Sequence, residues 1–230
     1  MRRGAALKRQ PVVTIDGPAA AGKSTAAREL ARRLGFTLVD TGALYRALAW
    51  AVKEAGVAAD DAPAVGKVLE KTTVDFEGGR VLVNGRDITA QLRTPELGML
   101  TSRLTRLQVV RDKLTPLQRG LARAGGVVLE GRDTGSVVCP EAEVKFYLDA
   151  DLDERARRRR EELAATGLPA DYETVKAEVM QRDRQDMERD LAPLVRPEGA
   201  LVLDSTALSP EAVVERMLDA VEQARCCTRS

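Results

Sequence analysis

The stretch Gly17-Pro18-Ala19-Ala20-Ala21-Gly22-Lys23-Ser24 decides the fold, because it matches the phosphate-loop pattern G-x-x-x-x-G-K-[S/T] without a mismatch. An apolar segment, Val12–Ile15, precedes it, and a helical pattern, Thr25–Leu34, follows it, as the motif requires. The glycines let backbone N–H groups turn towards phosphates, and the helix N-terminus adds positive potential. We therefore expect residues 17–25 to bind a nucleoside triphosphate, with Lys23 at the β- and γ-phosphates and the Ser24 hydroxyl on Mg²⁺.

Five short apolar segments indicate buried parallel strands. They are Val12–Ile15, Thr37–Val39, Val127–Leu129, Val144–Leu148 and Ala200–Leu203, followed in turn by Asp16, Asp40, Glu130, Asp149 and Asp204. Helical patterns separate them, notably Ser24–Leu34, Ala43–Glu54, Thr101–Arg123 and Pro210–Ala224, the last with Ser209 as its N-cap. This alternation predicts an α/β fold of the P-loop NTPase type, a five-stranded parallel sheet flanked by helices. Functional residues are then expected at the carboxyl ends of the strands.

Two segments interrupt this alternation. Residues 74–88 alternate apolar and polar side chains and contain Gly78-Gly79 and Asn84-Gly85, which are typical of two-residue hairpin turns. They predict a small antiparallel β meander inserted into the α/β core. Residues from about 153 to 193 are rich in arginine and are broken at Gly167-Leu168-Pro169, which predicts a helical hairpin.

The composition of the 230 residues is that of a globular protein, with 44% hydrophobic and 31% charged residues. The net charge of +1 and the 3% aromatic content argue against a nucleic-acid partner, and no stretch has the length of a membrane span. Because there is no histidine, the sequence excludes His-based triads and His–metal sites. The three cysteines, Cys139, Cys226 and Cys227, do not predict a disulfide framework. We expect a cytoplasmic monomer.

A GTPase switch would be expected to recognise guanine through an N-K-x-D motif. The only asparagine of the chain is Asn84, in Asn84-Gly85-Arg86-Asp87, where the lysine is missing. The base-recognition step of a GTPase is therefore not supported. A nucleotide-binding regulatory protein that hydrolyses slowly stays an alternative, as does an Arg-rich nucleic-acid binder.

The positions of the arginines favour phosphoryl transfer instead. Their spacing places Arg155, Arg158 and Arg159 on one helix face, and likewise Arg182, Asp186 and Arg189. An exposed ion pair between Arg182 and Asp186 would be an ordinary alternative explanation for part of this pattern. A mobile Arg-rich hairpin nevertheless suits a lid that excludes water and neutralises charge on phosphates during transfer.

The motifs together resemble the bacterial-type cytidylate kinases, from Val12 to about Leu218. The resemblance rests on Ile15-Asp16-Gly17-Pro18, Asp40-Thr41-Gly42-Ala43-Leu44-Tyr45-Arg46, Gly131-Arg132-Asp133-Thr134-Gly135-Ser136-Val137-Val138, Arg182-Asp183-x-x-Asp186-x-x-Arg189-x-x-Ala192-Pro193-Leu194 and Leu203-Asp204-Ser205-Thr206. It implies transfer of the γ-phosphoryl group of ATP, with Mg²⁺, to CMP and dCMP. It also implies one domain over residues 10–230, with a core (about 10–41, 112–152 and 191–224), a region that binds the nucleoside monophosphate (about 42–111, with the β insert at about 63–94) and a lid (about 153–190).

The resemblance also implies a role for individual residues. Tyr45, Ser102, Arg111 and Asp133 would form the cytosine pocket, with Thr41 lining it and with Ser102 and Asp133 near the exocyclic amine. Arg46, Arg132 and Arg189 would hold the monophosphate, and Arg182 and Asp186 would face the ribose. Arg155, Arg158 and Arg159 would lie over the ATP phosphates. The chemistry agrees, because an acceptor phosphate suits several guanidinium groups and recognition of an amine needs an acceptor.

Two positions depart from the family pattern. Glu130 stands where aspartate is more usual, and its carboxylate is expected to help order Mg²⁺ and its water molecules. Thr41 stands where serine is more usual and keeps the hydroxyl. The expected mechanism is direct in-line transfer, in which Lys23, Mg²⁺ and the arginines position and stabilise charge and no strong general base is needed. A P-loop kinase for UMP, AMP or a non-nucleotide acceptor stays an alternative.

Overall fold

The structure is a computed structural model that describes residues 9–227 except Gly78 and Arg93. Its strands are β1 (Val12–Asp16), β2 (Thr37–Asp40), β3 (Val74–Glu77), β4 (Arg80–Val83), β5 (Arg86–Asp87), β6 (Val127–Glu130), β7 (Val144–Asp149) and β8 (Leu201–Asp204). Its α-helices are α1 (Lys23–Leu34), α2 (Thr41–Glu54), α3 (Ala62–Glu70), α4 (Pro95–Leu104), α5 (Gln108–Ala122), α6 (Leu152–Ala165), α7 (Tyr172–Glu188) and α8 (Pro210–Cys227).

Five strands form a parallel sheet in the order β2-β6-β1-β7-β8. This confirms the predicted sheet, whose strands the sequence places to within one residue at each end. In the register of the sheet, Glu130 of β6 lies opposite both Ile15 of β1 and Asp40 of β2. The carboxyl ends of the central strands therefore meet at one edge of the sheet, where the phosphate loop leaves β1.

Helices cover both faces of the sheet. On one face, α1 and α8 pack through Leu30 and Met217 against Ile15 and Phe146, all fully buried. On the other face, α2, α4 and α5 form a second core with the β insert. Ser209 caps α8 as predicted, since its hydroxyl accepts a hydrogen bond from the Ala212 N–H at 3.2 Å.

The last strand is less buried than its apolar sequence predicts. In β8, Leu201 is 50% exposed and Val202 is 45% exposed. The reason is topological, because β8 pairs only with β7 and forms an edge of the sheet. Apolar composition identified the strand correctly but did not indicate its position in the sheet.

The inserted meander is confirmed as a three-stranded antiparallel sheet in the order β3-β4-β5. The turn between β4 and β5 is Asn84-Gly85, with φ of +50° and +75°. Asparagine and glycine tolerate this left-handed backbone better than other residues. The side-chain Oδ1 of Asn84 also accepts the Thr73 N–H at 2.8 Å, which ties the turn to the residue before β3.

The single helix predicted over Thr101–Arg123 is wrong, because α4 ends at Leu104 and α5 begins at Gln108. At the break, Leu107 adopts an extended conformation with φ −88° and ψ 128°. The Thr105 hydroxyl donates to the carbonyl of Ser102 at 2.9 Å, and the Nε of Arg111 donates to the carbonyl of Thr105 at 3.0 Å. These side-chain bonds satisfy carbonyl groups at the end of α4 that no helical N–H would reach.

The Arg-rich segment folds as the predicted helical hairpin, formed by α6 and α7. It breaks at Gly167, where φ is +77°. Among the described residues, no helix is long and apolar enough to cross a membrane. Cys139 has a free thiol, whereas the side chains of Cys226 and Cys227 lie outside the described part of the chain.

Candidate active site

The phosphate loop has the conformation that the motif requires. Its first glycine, Gly17, has a φ of +147°, and a Cβ there would lie 2.0 Å from the carbonyl oxygen of Leu148, so only glycine fits. The buried Lys23 ammonium donates to the carbonyl of Pro18 at 2.5 Å. Burial and then the charge of Arg132 lower the pKa of Lys23 to about 7. An anion in the loop would favour the charged form of this lysine.

Glu130, at the carboxyl end of β6, lies directly beside the phosphate loop. Its Oε1 accepts the hydroxyl of Ser24 at 2.9 Å, while its Oε2 is buried and has no hydrogen-bond partner within the described residues. Burial and then the nearby Asp40 raise the pKa of Glu130. An unsatisfied buried carboxylate oxygen beside a hydroxyl is a donor set that suits Mg²⁺. No cluster of three or more acidic or cysteine side chains able to hold a metal occurs in the described part of the chain.

Thr41, which lies just after β2, bonds to the carboxyl end of β6. Its hydroxyl donates to the backbone carbonyl of Glu130 at 2.7 Å, and the side chain is buried. This hydrogen bond therefore links the start of α2 to the end of β6, beside the predicted pocket. The preceding residue, Asp40, caps α2 by accepting the Ala43 N–H at 2.8 Å and pairs with Arg46 at 3.3 Å.

A buried charged cluster surrounds Asp133. Its carboxylate accepts a hydrogen bond from Arg111 at 2.7 Å and lies 3.7 Å from Arg189. The ring of Tyr45 lies under Arg111, with 5.8 Å between the guanidinium carbon and the ring centroid. The Tyr45 hydroxyl is buried and has no hydrogen-bond partner among the described residues, and burial raises its pKa to about 12. Ser102 donates to the Oε1 of Gln185 on α7, at 3.1 Å.

Asp186, Arg132 and Arg189 form a second charged group, which lies between this cluster and Lys23 of the phosphate loop. Asp186 accepts the Nε of Arg132 at 2.9 Å and lies 3.6 Å from Arg189. The structure thus pairs Asp186 with Arg132 and Arg189, rather than chiefly with Arg182 one helical turn away. Burial opposes ionisation of Asp186, but these arginines outweigh it and hold its pKa below the usual value. Arg182 is exposed to solvent, yet the protein atoms around it and the charge of Arg132 lower its pKa to about 10.

Several guanidinium groups retain free donor capacity. The Nε of Arg46 and one terminal nitrogen each of Arg111 and Arg189 are buried without a hydrogen-bond partner in the part of the chain that the structure describes. Buried donors of this kind are rare in folded proteins unless a ligand satisfies them. Arg46 lies on α2, Arg111 on α5 and Arg189 at the end of α7, and unsatisfied guanidinium donors of this kind suit an anion such as a phosphate.

Three of the five arginines of α6, namely Arg155, Arg158 and Arg159, have different environments, although their spacing puts them on one face. Arg155 is buried, forms an ion pair with Asp183 of α7, and donates to the carbonyls of Ala150 and Ala19. Asp183 also accepts the Ala19 N–H at 2.9 Å. Arg155 therefore attaches the hairpin to the phosphate loop, which differs from the expected position over the ATP phosphates.

Arg158 and Arg159 are more accessible than Arg155. Arg158 donates to the hydroxyl of Ser205 at 3.0 Å and to its carbonyl at 2.7 Å, and its guanidinium lies near Gly22 of the loop. Arg159 pairs with the exposed Glu162 of the same helix at 2.7 Å. The sequence shows only the spacing of these arginines. Which of them points towards the phosphate loop depends on how α6 packs on α7.

Three residues with a role at the site were not assigned one from the sequence. Asp183 holds the phosphate loop, Ser205 donates to the carbonyl of Ala21 at 3.2 Å, and Asp16 bonds to the segment after Asp133. All three lie within the quoted motifs. The signal in the sequence was that each of them lies beside a residue with an assigned role. The hydrogen-bond partners named above are more than one hundred residues away in the chain, so the sequence did not reveal them.

Comparison with known proteins agrees with this geometry. The model of the cytidylate kinase family matches residues 13–223. A cytidylate kinase of Geobacter sp. (strain M21) is 47% identical over 216 residues, covering 92% of this chain and 93% of that protein. A cytidylate kinase of Geobacillus sp. (strain WCH70) is 44% identical over 215 residues, covering 92% and 96%.

Among solved structures, an uncharacterized protein from Eubacterium ventriosum ATCC 27560 aligns with a TM-score of 0.51 over 93% of this chain and 99% of that one. At 9% identity, this likeness shows the fold alone. The family assignment rests instead on the family model, whose matched residues 13–223 include the phosphate loop, Asp133 and the α6–α7 hairpin, and on relatives that cover nearly the whole chain. The chain belongs to the cytidylate kinase family.

Proposed function

We propose that this chain transfers the γ-phosphoryl group of ATP to CMP, and also to dCMP, producing ADP and the nucleoside diphosphate. The observation that carries the proposal is the buried Asp133–Arg111 pair, which lies beside guanidinium nitrogens without partners and on the same side of the sheet as the phosphate loop. The Asp133 carboxylate would offer an acceptor for an amine, and the unpaired guanidinium nitrogens would offer donors for a phosphate.

The base pocket would use Asp133 and Ser102 as acceptors for the exocyclic amine of cytosine. Uracil carries a carbonyl oxygen at that position, which would face the Asp133 carboxylate without a proton between them. A site built around a buried hydrogen bond discriminates strongly against a base that cannot make it. Tyr45 would close one side of the pocket, and Arg111 would hold the Asp133 carboxylate in place through its 2.7 Å hydrogen bond.

Transfer would be direct and in line. An oxygen of the acceptor phosphate forms a bond to the γ-phosphorus of ATP while the bond from that phosphorus to the β–γ bridging oxygen breaks. Arg46, Arg132 and Arg189 would hold the acceptor phosphate, and Lys23 would contact the phosphates of ATP. Arg158 and Arg159 would approach the transferring group from the hairpin. These cations would neutralise charge that spreads over the phosphoryl oxygens.

Ser24 and Glu130 would hold Mg²⁺ and its water molecules beside the phosphates, where the metal supplies charge neutralisation. We further propose that residues of about 42–111 and 153–190 act as the acceptor-binding region and the lid on a core of about 10–41, 112–152 and 191–224. We infer a cytoplasmic monomer that needs no nucleic acid, and size-exclusion chromatography with light scattering tests the oligomeric state.

The test is ADP production from MgATP with CMP, dCMP, UMP, AMP and TMP offered separately. We expect rapid turnover with CMP and dCMP and little with the other acceptors. The variant Lys23→Met, prepared in the same way, reports any contaminating kinase. Turnover with a different acceptor would refute the base pocket, and ADP production without any acceptor would refute the transfer reaction.

A further inference from the structure

Asp16, the last residue of β1, is a fully buried carboxylate outside the proposed substrate contacts. Its Oδ1 accepts two hydrogen bonds from Thr134, one from the backbone N–H and one from the hydroxyl, both at 2.8 Å. Its Oδ2 accepts the N–H of Gly135 at 2.7 Å. Burial raises the pKa of Asp16, and these three hydrogen bonds oppose that rise. Each carboxylate oxygen is thus committed to the turn that follows Asp133.

This contact bears directly on Asp133. The Thr134 N–H belongs to the peptide group that joins Asp133 to Thr134, so a bond to it restrains the ψ angle of Asp133, which is 21°. The carbonyl oxygen of the same peptide group accepts the N–H groups of Val137 at 3.0 Å and Val138 at 3.1 Å. The peptide after Asp133 is therefore held on both sides, and the carboxylate of Asp133 projects from it to Arg111.

Close packing leaves this turn little freedom to shift. A Cβ on Gly135 would lie 2.7 Å from the Thr14 hydroxyl and 3.3 Å from Oδ2 of Asp16. A Cβ on Gly131 would lie 2.6 Å from the hydroxyl of Thr41. Gly135 lets the backbone come within hydrogen-bonding distance of Asp16, and Gly131 lets it approach the end of β1, where the Gly131 N–H donates to the carbonyl of Ile15 at 3.0 Å.

We propose that Asp16 is a positioning residue for base selectivity, which acts through the Asp133–Thr134 peptide. Asp16 lies at the end of the strand that leads into the phosphate loop, and its hydrogen bonds hold the backbone that carries the carboxylate that recognises cytosine. The phosphate loop and this carboxylate are thereby fixed relative to each other. This inference rests on the proposed function, because it assumes that Asp133 accepts a hydrogen bond from the acceptor base. A shift of Asp133 would weaken recognition of the amine and leave the phosphate contacts in place.

The test compares Asp16→Asn, Thr134→Val and Thr134→Ser. In Asp16→Asn one carboxylate oxygen becomes an NH₂ group, so at least one N–H of the turn faces another donor. Thr134→Val removes a single hydrogen bond at nearly constant shape, whereas Thr134→Ser keeps it. Thr14→Val is the matched control, because the Thr14 hydroxyl is also buried on β1 but has no hydrogen-bond partner among the described residues.

The readouts are kcat/KM for CMP and UMP, the KM for ATP, and the affinities of CMP and UMP by calorimetry without ATP. We expect the ratio of kcat/KM for CMP over UMP to fall roughly tenfold or more in Asp16→Asn, because small displacements in a site have effects of this order. A smaller fall is expected in Thr134→Val, and Thr134→Ser and Thr14→Val should keep the wild-type ratio. The KM for ATP should stay within about twofold of wild type if the effect is confined to the base pocket.

Equal losses for CMP and UMP, or a change confined to the KM for ATP, would overturn the proposal, since a general structural role predicts those results. If Asp16→Asn does not fold, Thr134→Val decides, and an unchanged CMP/UMP ratio in that variant overturns the proposal. Failure of the proposed function looks different, because the wild-type protein itself would then show no preference for CMP.

Discussion

The attachment of the α6–α7 hairpin to the phosphate loop can be tested by removing one partner of its buried ion pair. The side chains of Arg155 and Asp183 are 10% and 8% exposed, and they contact Ala19 of the loop through a carbonyl and an N–H. Arg155→Met keeps most of the apolar volume but leaves the carboxylate of Asp183 buried without its cation. Breaking a buried pair in this way costs about 3–5 kcal/mol.

For a chain of this size, each 1 kcal/mol lowers Tm by roughly 2–4 °C, so the expected fall is roughly 6–20 °C. Arg157→Met is the matched control on the same helix, because Arg157 is 48% exposed and pairs with Glu154 and Glu161 in solvent. That variant should lose less than about 1 kcal/mol. The double variant Arg155→Met/Asp183→Asn should recover much of the loss, since it removes both charges and keeps an acceptor for the Ala19 N–H.

The assays are thermal and urea unfolding followed by circular dichroism, together with the KM for ATP. We expect Arg155→Met to raise the KM for ATP more than the KM for CMP, because the loosened segment is the phosphate loop. If Arg155→Met and Arg157→Met lose equal stability, the buried pair is not the attachment that we describe. If the double variant is less stable than Arg155→Met, the desolvation argument fails.

Three further predictions concern the rest of the site. Arg111→Met should destabilise the protein by about 3–5 kcal/mol in urea unfolding and raise the KM for CMP, because its partner Asp133 is also buried; unchanged stability would contradict this. Since burial raises the pKa of Tyr45 to about 12, the unfolded chain loses this proton first as the pH rises above 10. The contribution of the protonated Tyr45 to the free energy of unfolding is thus fully present below pH 10. It should fall by about 1.4 kcal/mol by pH 11, relative to Tyr45→Phe; parallel curves of unfolding free energy against pH for the two proteins would refute it. EDTA should abolish turnover while calorimetry still detects CMP. Glu130→Gln, which removes the negative charge beside Ser24, should need more Mg²⁺ for half-maximal rate; an unchanged requirement would exclude Glu130 from the metal site.

The sheet, the phosphate loop and the β insert could be predicted from the sequence because each depends on local signals. The loop follows a strict spacing around Lys23, and the turn at Asn84 requires a residue that tolerates positive φ. The break between α4 and α5 could not be predicted in the same way. Apolar residues continue at helical spacing through Leu104 and Leu107, whereas the break depends on side-chain bonds from Thr105 and Arg111 to carbonyl groups.

The candidate site was predictable in its residue types but not in its internal partners. The family resemblance identified Asp133 and the arginines around it, and helical spacing placed Arg182, Asp186 and Arg189 on one face. The inward position of Arg155 depends on the packing of α6 against α7, and the bonds of Asp16 join residues 118 positions apart. Such distant pairings are decided by the assembled fold, which spacing along one segment does not describe.

The strand order has a consequence for how the chain is made. The central strand, β1, lies near the N-terminus, but its neighbours β6 and β7 begin only at Val127 and Val144. A ribosome that adds roughly 5–20 residues per second needs about 6–23 s to pass from Val12 to Val127. During that interval the backbone N–H and C=O groups at both edges of β1 have no partner strand. Prompt folding of residues 41–122 would make it easier for β1 to find β6 and β7 once these strands are made. A nascent chain that stalls before β6 should be the form most prone to aggregate.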